Sequence, residues 1–158
     1  MVTNRIEYSE SVASLLKQST PEAQLGLLFV RFAEALLQPN GEGIDNVVTA
    51  DARFHELEAA GLPPGPLGFK AFRKQINAAF PDESVFIVAM RFPEPSIIET
   101  ELACTATHRG ELMGIPATGK RIEFTGIYIA RIADSKIVEH WGEEDGVSLL
   151  TQLGILKM

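Results

Sequence analysis

The run Arg121-Ile122-Glu123-Phe124-Thr125-Gly126-Ile127-Tyr128-Ile129-Ala130-Arg131-Ile132-Ala133, then Asp134-Ser135, then Lys136-Ile137-Val138-Glu139-His140-Trp141, decides how this chain folds. β-Branched and aromatic residues fill both halves, and Asp134-Ser135 between them is turn chemistry, so the segment reads as two strands with a chain reversal. Upstream lies a glycine-punctuated loop, Thr107-His108-Arg109-Gly110-Glu111-Leu112-Met113-Gly114-Ile115-Pro116-Ala117-Thr118-Gly119-Lys120. Downstream, Asp145 follows Trp141 by four residues.

Working outward, residues 84–92 and 97–107 are two more β-like runs, the first strongly apolar and the second carrying Thr100, Thr105 and Thr107. Short connections between the four runs imply antiparallel pairing, and one bent sheet over 84–141 with a half-enclosed face is expected. The N-terminal half reads differently. Thr20-Pro21-Glu22 is a helix start, with a capping hydroxyl, a proline suited to the first turn and an acid that complements the dipole. Leu25, Leu28, Phe29, Phe32 and Leu36 keep helical spacing until Pro39-Asn40-Gly41, which predicts a helix over 21–37. Phe69, Phe72, Ile76, Ala79 and Phe80 mark another helix before Pro81. Residues 61–68, rich in Gly and Pro, read as a loop, and 46–56 fits helix or strand. Residues 9–18, with Val12, Leu15 and Leu16 on one face, read as a short helix or a loosely attached arm, so residues 1–20 stand as a candidate N-terminal arm of a single domain spanning 1–158. Residues 147–154 read as a short final helix or an irregular tail. Helices followed by antiparallel strands give an α+β class with helices on one face of a curved sheet.

Composition narrows function by exclusion. A net charge of −7 argues against non-specific binding to nucleic acid or to anionic membrane surfaces. No apolar run approaches a membrane span, and the N-terminus lacks a signal-peptide core, so a cytoplasmic location is expected. Cys104 is the only cysteine and sits among small apolar residues, which reads as a core position. His55, His108 and His140 lack the close spacing of a helical zinc motif. Gly110, Gly114 and Gly119-Lys120 do not have phosphate-loop spacing, and no Gly-x-Ser-x-Gly elbow is present.

The loop from His108 to Lys120, together with Arg131, Lys136-Ile137-Val138-Glu139-His140-Trp141, the tail Leu149-Leu150-Thr151-Gln152-Leu153-Gly154 and the earlier Gly68-Phe69-Lys70-Ala71-Phe72 and Ala78-Ala79-Phe80-Pro81-Asp82, resembles the SnoaL-like polyketide cyclase family of the nuclear-transport-factor-2-like superfamily. The resemblance covers roughly residues 21–156. It departs at Ala117, where the family often has a second Pro, and at Ser135, where it has the Gly of a turn. It implies a cone, with helices packed into the concavity of a curved antiparallel sheet and a pocket between them. It also implies intramolecular aldol ring closure on a polyketide ester by an acidic residue acting as acid and base, with no metal and no cofactor.

By that resemblance Asp145 matches the acid/base, although an Asp at this position also caps the helix that follows. Strand parity places Glu139 and Trp141 on one face and His140 on the other, facing outward. If Trp141 lines the pocket, so does Glu139, as a second acid. Arg131 has the reach to pair with one of these acids, in the pocket or as a structural ion pair. His108 is a candidate to polarise a carbonyl, or else bonds to its own loop. His55 is placed at the pocket mouth or read as inert. Phe29, Phe32, Phe72, Tyr128 and Trp141 are the expected apolar lining. The partner implied is an apolar, carbonyl-bearing small molecule. The alternatives are a non-catalytic ligand-binding protein on the same fold, or an isomerase or epoxide hydrolase. A homodimer is expected on an outer sheet face carrying Val85, Ile87, Ile127 and Ile129.

Overall fold

The computed structural model describes residues 5–157. In chain order the elements are β1 (Ile6–Tyr8), α1 (Glu10–Leu16), α2 (Pro21–Leu37), β2 (Val48–Phe54), α3 (His55–Glu58), α4 (Gly65–Ala79), β3 (Ser84–Glu94), β4 (Ile97–Thr107), β5 (Arg121–Ala133), β6 (Lys136–Glu144) and α5 (Gly146–Gln152). The fold is α+β: a curved six-stranded sheet in the order β1-β3-β4-β5-β6-β2, with helices packed into its concavity. The four central strands pair antiparallel, as the sequence predicts. Two short edge strands join parallel, β1 on β3 and β2 on β6. The ambiguous 46–56 segment is thus a strand that runs directly into one helical turn. The 9–18 segment is a helix with Val12 fully buried, capped by Ser9, whose hydroxyl also donates to the Val88 carbonyl at 2.8 Å.

Helix α2 forms where its signals place it. Thr20 Oγ1 accepts the Ala23 amide at 3.2 Å, and Phe29, Phe32 and Leu36 are buried along one face. Helix α4 starts earlier than the 61–68 loop reading allows, at Gly65, because Pro66 is tolerated in a first turn. Gly65 has φ +71°, and a Cβ there would sit 2.0 Å from the Ala50 carbonyl oxygen, so only glycine lets α4 start against β2. Phe32 is the hub of the core, with ring centroids 5.7 Å from Phe29, 6.2 Å from Phe54 and 5.5 Å from Phe69. Val85 and Ile87 point into this core rather than onto the outer face, so the outer apolar patch retains only Ile127 and Ile129 of the four residues expected there.

The β5–β6 hairpin carries the detail on which the site depends. Ala133 pairs with Lys136 and Ile132 with Ile137, but Arg131 pairs with Glu139. Val138 is therefore an extra residue, a bulge, and every β6 side chain beyond it lies on the face opposite to simple alternation from Ile137. The turn residues Asp134 and Ser135 have φ of +50° and +63°, the positive pair that suits a two-residue hairpin.

Candidate active site

Because of the bulge, β6 presents His140, Gly142 and Glu144 to the concavity, opposite Ala130, Tyr128 and Gly126 of β5. Side-chain-free glycines at 126 and 142 let the Tyr128 ring lie against the sheet; a Cβ at residue 142 would come within 3.1 Å of that ring and 3.4 Å of His140. The Tyr128 hydroxyl donates to Glu144 Oε1 at 2.6 Å. His140 is only 2% exposed; its Nδ1 meets Glu56 Oε1 of α3 at 2.7 Å, and its ring packs against Phe32, Phe54 and, edge-on, Tyr128. From α4, Arg73 reaches Glu83 Oε1 at 2.6 Å and Asn77 Oδ1 at 3.1 Å, all through Nη2. Buried atoms without a protein partner concentrate here: His140 Nε2, Glu56 Oε2 and Arg73 Nε.

This cluster perturbs its own acids. Burial pushes the Glu144 carboxyl above its ordinary value, with the charges of Glu83 and Glu56 adding to the effect while the Tyr128 hydrogen bond and Arg73 oppose it. Burial likewise raises the Tyr128 phenol well above its usual range, helped by the Glu144 charge. The Cys104 thiol is raised mainly by burial, which makes it an inert core group as its neighbours in sequence suggest. Tyr128 is half-buried and Glu144 keeps solvent access, so this end of the concavity is open to water. A carboxyl with raised proton affinity, held by a phenol hydroxyl at the water's edge, has the chemistry to accept, hold and return a proton. Among the described residues no group of three or more His, Cys, Asp or Glu side chains converges as a metal site.

The sequence-predicted residues divide between two faces. Glu139 and Trp141 share a face and His140 takes the other, as parity predicts, but it is the outer face that holds Glu139 and Trp141, and His140 is inside, not outward. On the outer face Glu139 accepts from His55 Nε2 at 2.7 Å and lies 3.5 Å from Arg131 Nε. His55 stacks on Trp141 with centroids 4.8 Å apart and planes 8° apart. The His55 hydrogen bond, followed by Arg131, holds the Glu139 carboxyl below its ordinary value, which opposes use as a proton carrier near neutrality. A cavity of about 650 Å³ also lies on this outer face, lined by Ile97, Ile127, Ile129, Trp141, Gly142 and Glu143.

Asp145 is exposed, and its Oδ1 accepts the Ser148 amide at 3.0 Å as the N-cap of α5. It also lines an open cavity of about 530 Å³ with Cys104, Glu123, Phe124, Ser148 and Gln152, so it meets a cavity wall but is not shielded from water. His108 is fully buried against Phe80, its Nδ1 bonded to Thr118 Oγ1 at 3.0 Å and to the Thr118 amide at 3.3 Å, so it ties the glycine loop together. Phe29 and Phe32 are sealed in the core, while Phe72 and Tyr128 remain half-buried.

A family model described as SnoaL-like polyketide cyclase matches residues 28–153. The chain belongs to the SnoaL-like polyketide cyclase family. Aklanonic acid methyl ester cyclase DnrD of Streptomyces peucetius is 33% identical over 91 residues, covering 57% of this chain and 62% of the relative. Nogalonic acid methyl ester cyclase of Streptomyces nogalater is 28% identical over 94 residues, covering 60% of this chain and 70% of the relative. The chain thus spans about three fifths of the first curated relatives it matches. Among solved structures, TsrD of Streptomyces laurentii superposes with a TM-score of 0.76 at 23% identity over 85% of this chain and 97% of that one, a likeness of fold. IdmH of Streptomyces antibioticus superposes with a TM-score of 0.68 at 28% identity over 85% of this chain and 99% of that one.

Within this family fold, sequence reasoning passed over Glu144, Glu56, Arg73 and Glu83. Glu144 carried a usable signal, an acid adjoining the final helix boundary and two residues from a glycine, but its face depends on the bulge. Arg73 was legible as the one basic residue in line with Phe69, Phe72, Ile76 and Phe80 on the apolar side of α4.

Proposed function

We propose that this family member is a cyclase-type enzyme that closes a ring in an apolar, carbonyl-bearing small molecule by intramolecular aldol chemistry, with Glu144 as proton carrier and Tyr128 as its partner. The observation that carries the reading is the 2.6 Å Tyr128–Glu144 hydrogen bond inside the concavity, on a carboxyl whose proton affinity is raised. As carboxylate, Glu144 takes a proton from the carbon beside one carbonyl, and the C–H electron pair moves into the enolate. The enolate carbon attacks a second carbonyl of the same molecule, a C–C bond forms, and the C=O pair moves onto oxygen as an alkoxide. Glu144 returns its proton to that alkoxide. The product is an isomer of the substrate, and proton transfer is the only service this route asks of the chain.

The test is incubation with aklanonic acid methyl ester, the substrate class in the relatives' names. A product of unchanged mass with a new ring, formed by the parent and not by Glu144→Gln, is the expected result; equal turnover by both overturns the role of Glu144. One observation favours a non-catalytic small-molecule-binding protein: the residue matched to the family acid, Asp145, is exposed and engaged in capping. Saturable binding of the ester without turnover is the outcome that selects this reading.

The same reading includes a homodimer through the outer sheet face, where Ile127, Ile129 and Trp141 surround the 650 Å³ depression. Light scattering should give twice the chain mass for the parent and a monomer for Ile127→Lys. A monomeric parent at high micromolar concentration removes it.

A further inference from the structure

Helix α4 directs an arginine into the concavity, and the protein does not use all of it. Arg73 is 4% exposed, and the Glu83 that neutralises it is 6% exposed. Ion pairing so far from water is expensive, and an apolar pair of the same volume would often serve stability as well or better. A guanidinium carries five N–H donors in a rigid fork. Both protein acceptors, Glu83 Oε1 and Asn77 Oδ1, are met through Nη2, whereas Nε is buried with no partner. The Glu83 that holds Arg73 immediately precedes β3, whose Val85 pairs with buried Cys104; Cys104 in turn pairs with Phe124, two residues along β5 from Gly126, the partner of Glu144, and the Arg73 charge opposes the rise at Glu144.

Resting on the aldol reading of Glu144, we propose that Arg73 is the oxyanion-holding residue of the site, its unspent Nε–H taking the substrate oxygen on which negative charge develops. That oxygen is the enolate oxygen after Glu144 removes the proton, or the alkoxide oxygen after the C–C bond forms; Arg73 keeps its own protons throughout. Donors aimed at such an oxygen in a water-poor site are among the largest contributions to a reaction of this class. Glu83 and Asn77 hold the fork in place, and the substrate completes its hydrogen bonding. The class of ligand recognised is a planar, apolar molecule bearing an enolate or phenolate oxygen.

The probe is 2-naphthol, whose neutral and ionised forms absorb at different wavelengths and whose naphtholate resembles an enolate. The parent is expected to bind it near neutral pH with the naphtholate band appearing. Arg73→Lys keeps a positive charge beside Glu83 but has no Nε–H fork; it should melt within a few degrees of the parent, bind about tenfold or more weakly, and lose the naphtholate band. Tyr128→Phe and Glu144→Gln report separately on whether the probe occupies the concavity. If these two change binding and Arg73→Lys binds as the parent does, Arg73 is only structural and the proposal fails while the reading of Glu144 stands. If none of the three changes binding, or the parent shows no naphtholate band, both fail.

Discussion

The hairpin of β5 and β6 carries one histidine–glutamate pair on each face, and both pairs close at 2.7 Å. Outside, His55 and Glu139 sit with side chains 30% and 24% exposed, against Trp141 and within reach of Arg131. Inside, the His140 side chain is 3% exposed and its ring is enclosed by Phe32, Phe54 and Tyr128. The inner face carries a second acid, Glu144, which belongs to neither pair and bonds to the Tyr128 hydroxyl. Glu139 is held below its ordinary value by its partners, and Glu144 is raised by burial among other acids. The two histidine pairs share residue types and contact distance and differ in enclosure; Glu144, held by a phenol rather than a histidine, is the acid proposed to exchange a proton.

Four measurements press on this contrast, and the largest effect expected is on turnover. Glu144→Gln should lower turnover of an accepted ester by roughly 10²–10⁴-fold, the usual worth of one general acid/base, while Glu139→Gln stays within a few-fold of the parent. The reverse ranking would move the chemistry to the outer face. Next comes stability, read by urea unfolding. His140→Ala leaves a void among three aromatic rings and an unpaired Glu56, at a cost of about 3 kcal/mol, whereas His55→Ala should cost less than about 1 kcal/mol. Equal losses would mean that the inner pair is no better enclosed than the outer one.

Ser135→Gly tests the turn that sets both faces at once. Ser135 holds φ at +63°, and relief of that strain should raise stability by about 1 kcal/mol without changing activity. A loss of activity would show that the serine contributes more than backbone geometry.

The smallest effect is the pH dependence of melting through the acidic range. Glu139 is lowered from an ordinary value of 4.5, so its pairing stabilises the fold above that value, and the benefit is lost as pH falls through the folded pKa. Glu144 is raised from the same ordinary value, so the unfolded chain ionises first, and stability is lost as pH rises from about that value to the higher folded pKa. With rising pH, Glu139→Gln should therefore fall further below the parent, and Glu144→Gln should gain on it. Both trends are small because water reaches both carboxyls. Parallel curves for the two variants would remove the distinction drawn between the faces.

Local chemistry was sufficient for most of the frame. Thr20-Pro21-Glu22 marks the start of α2 because capping and proline preferences act within one turn, and the four β-rich runs pair in the antiparallel order that their short links impose. The edge strands were the least legible: Ile6–Tyr8 does not read as a strand and 46–56 fits helix or strand, because each becomes a strand only by joining a partner distant in the chain. The site was legible in part. Tyr128 faces the concavity. His108, Phe29 and Phe32 serve the interior instead, because burial of a residue type does not reveal whether it faces core or cavity.

By itself, then, the sequence determined the class of fold, the central strands, the two long helices and the family resemblance, since each of these rests on spacing, capping or motif within a short window. The tertiary structure decided which face of β6 looks inward. One extra residue at Val138, in a ladder that must follow a curved sheet, turns Glu139 and Trp141 outward and His140 and Glu144 inward. Alternation along a strand has a period of two, so it fixes relative facing only while the ladder is unbroken, and a bulge is a property of the paired strands rather than of either strand's own residues.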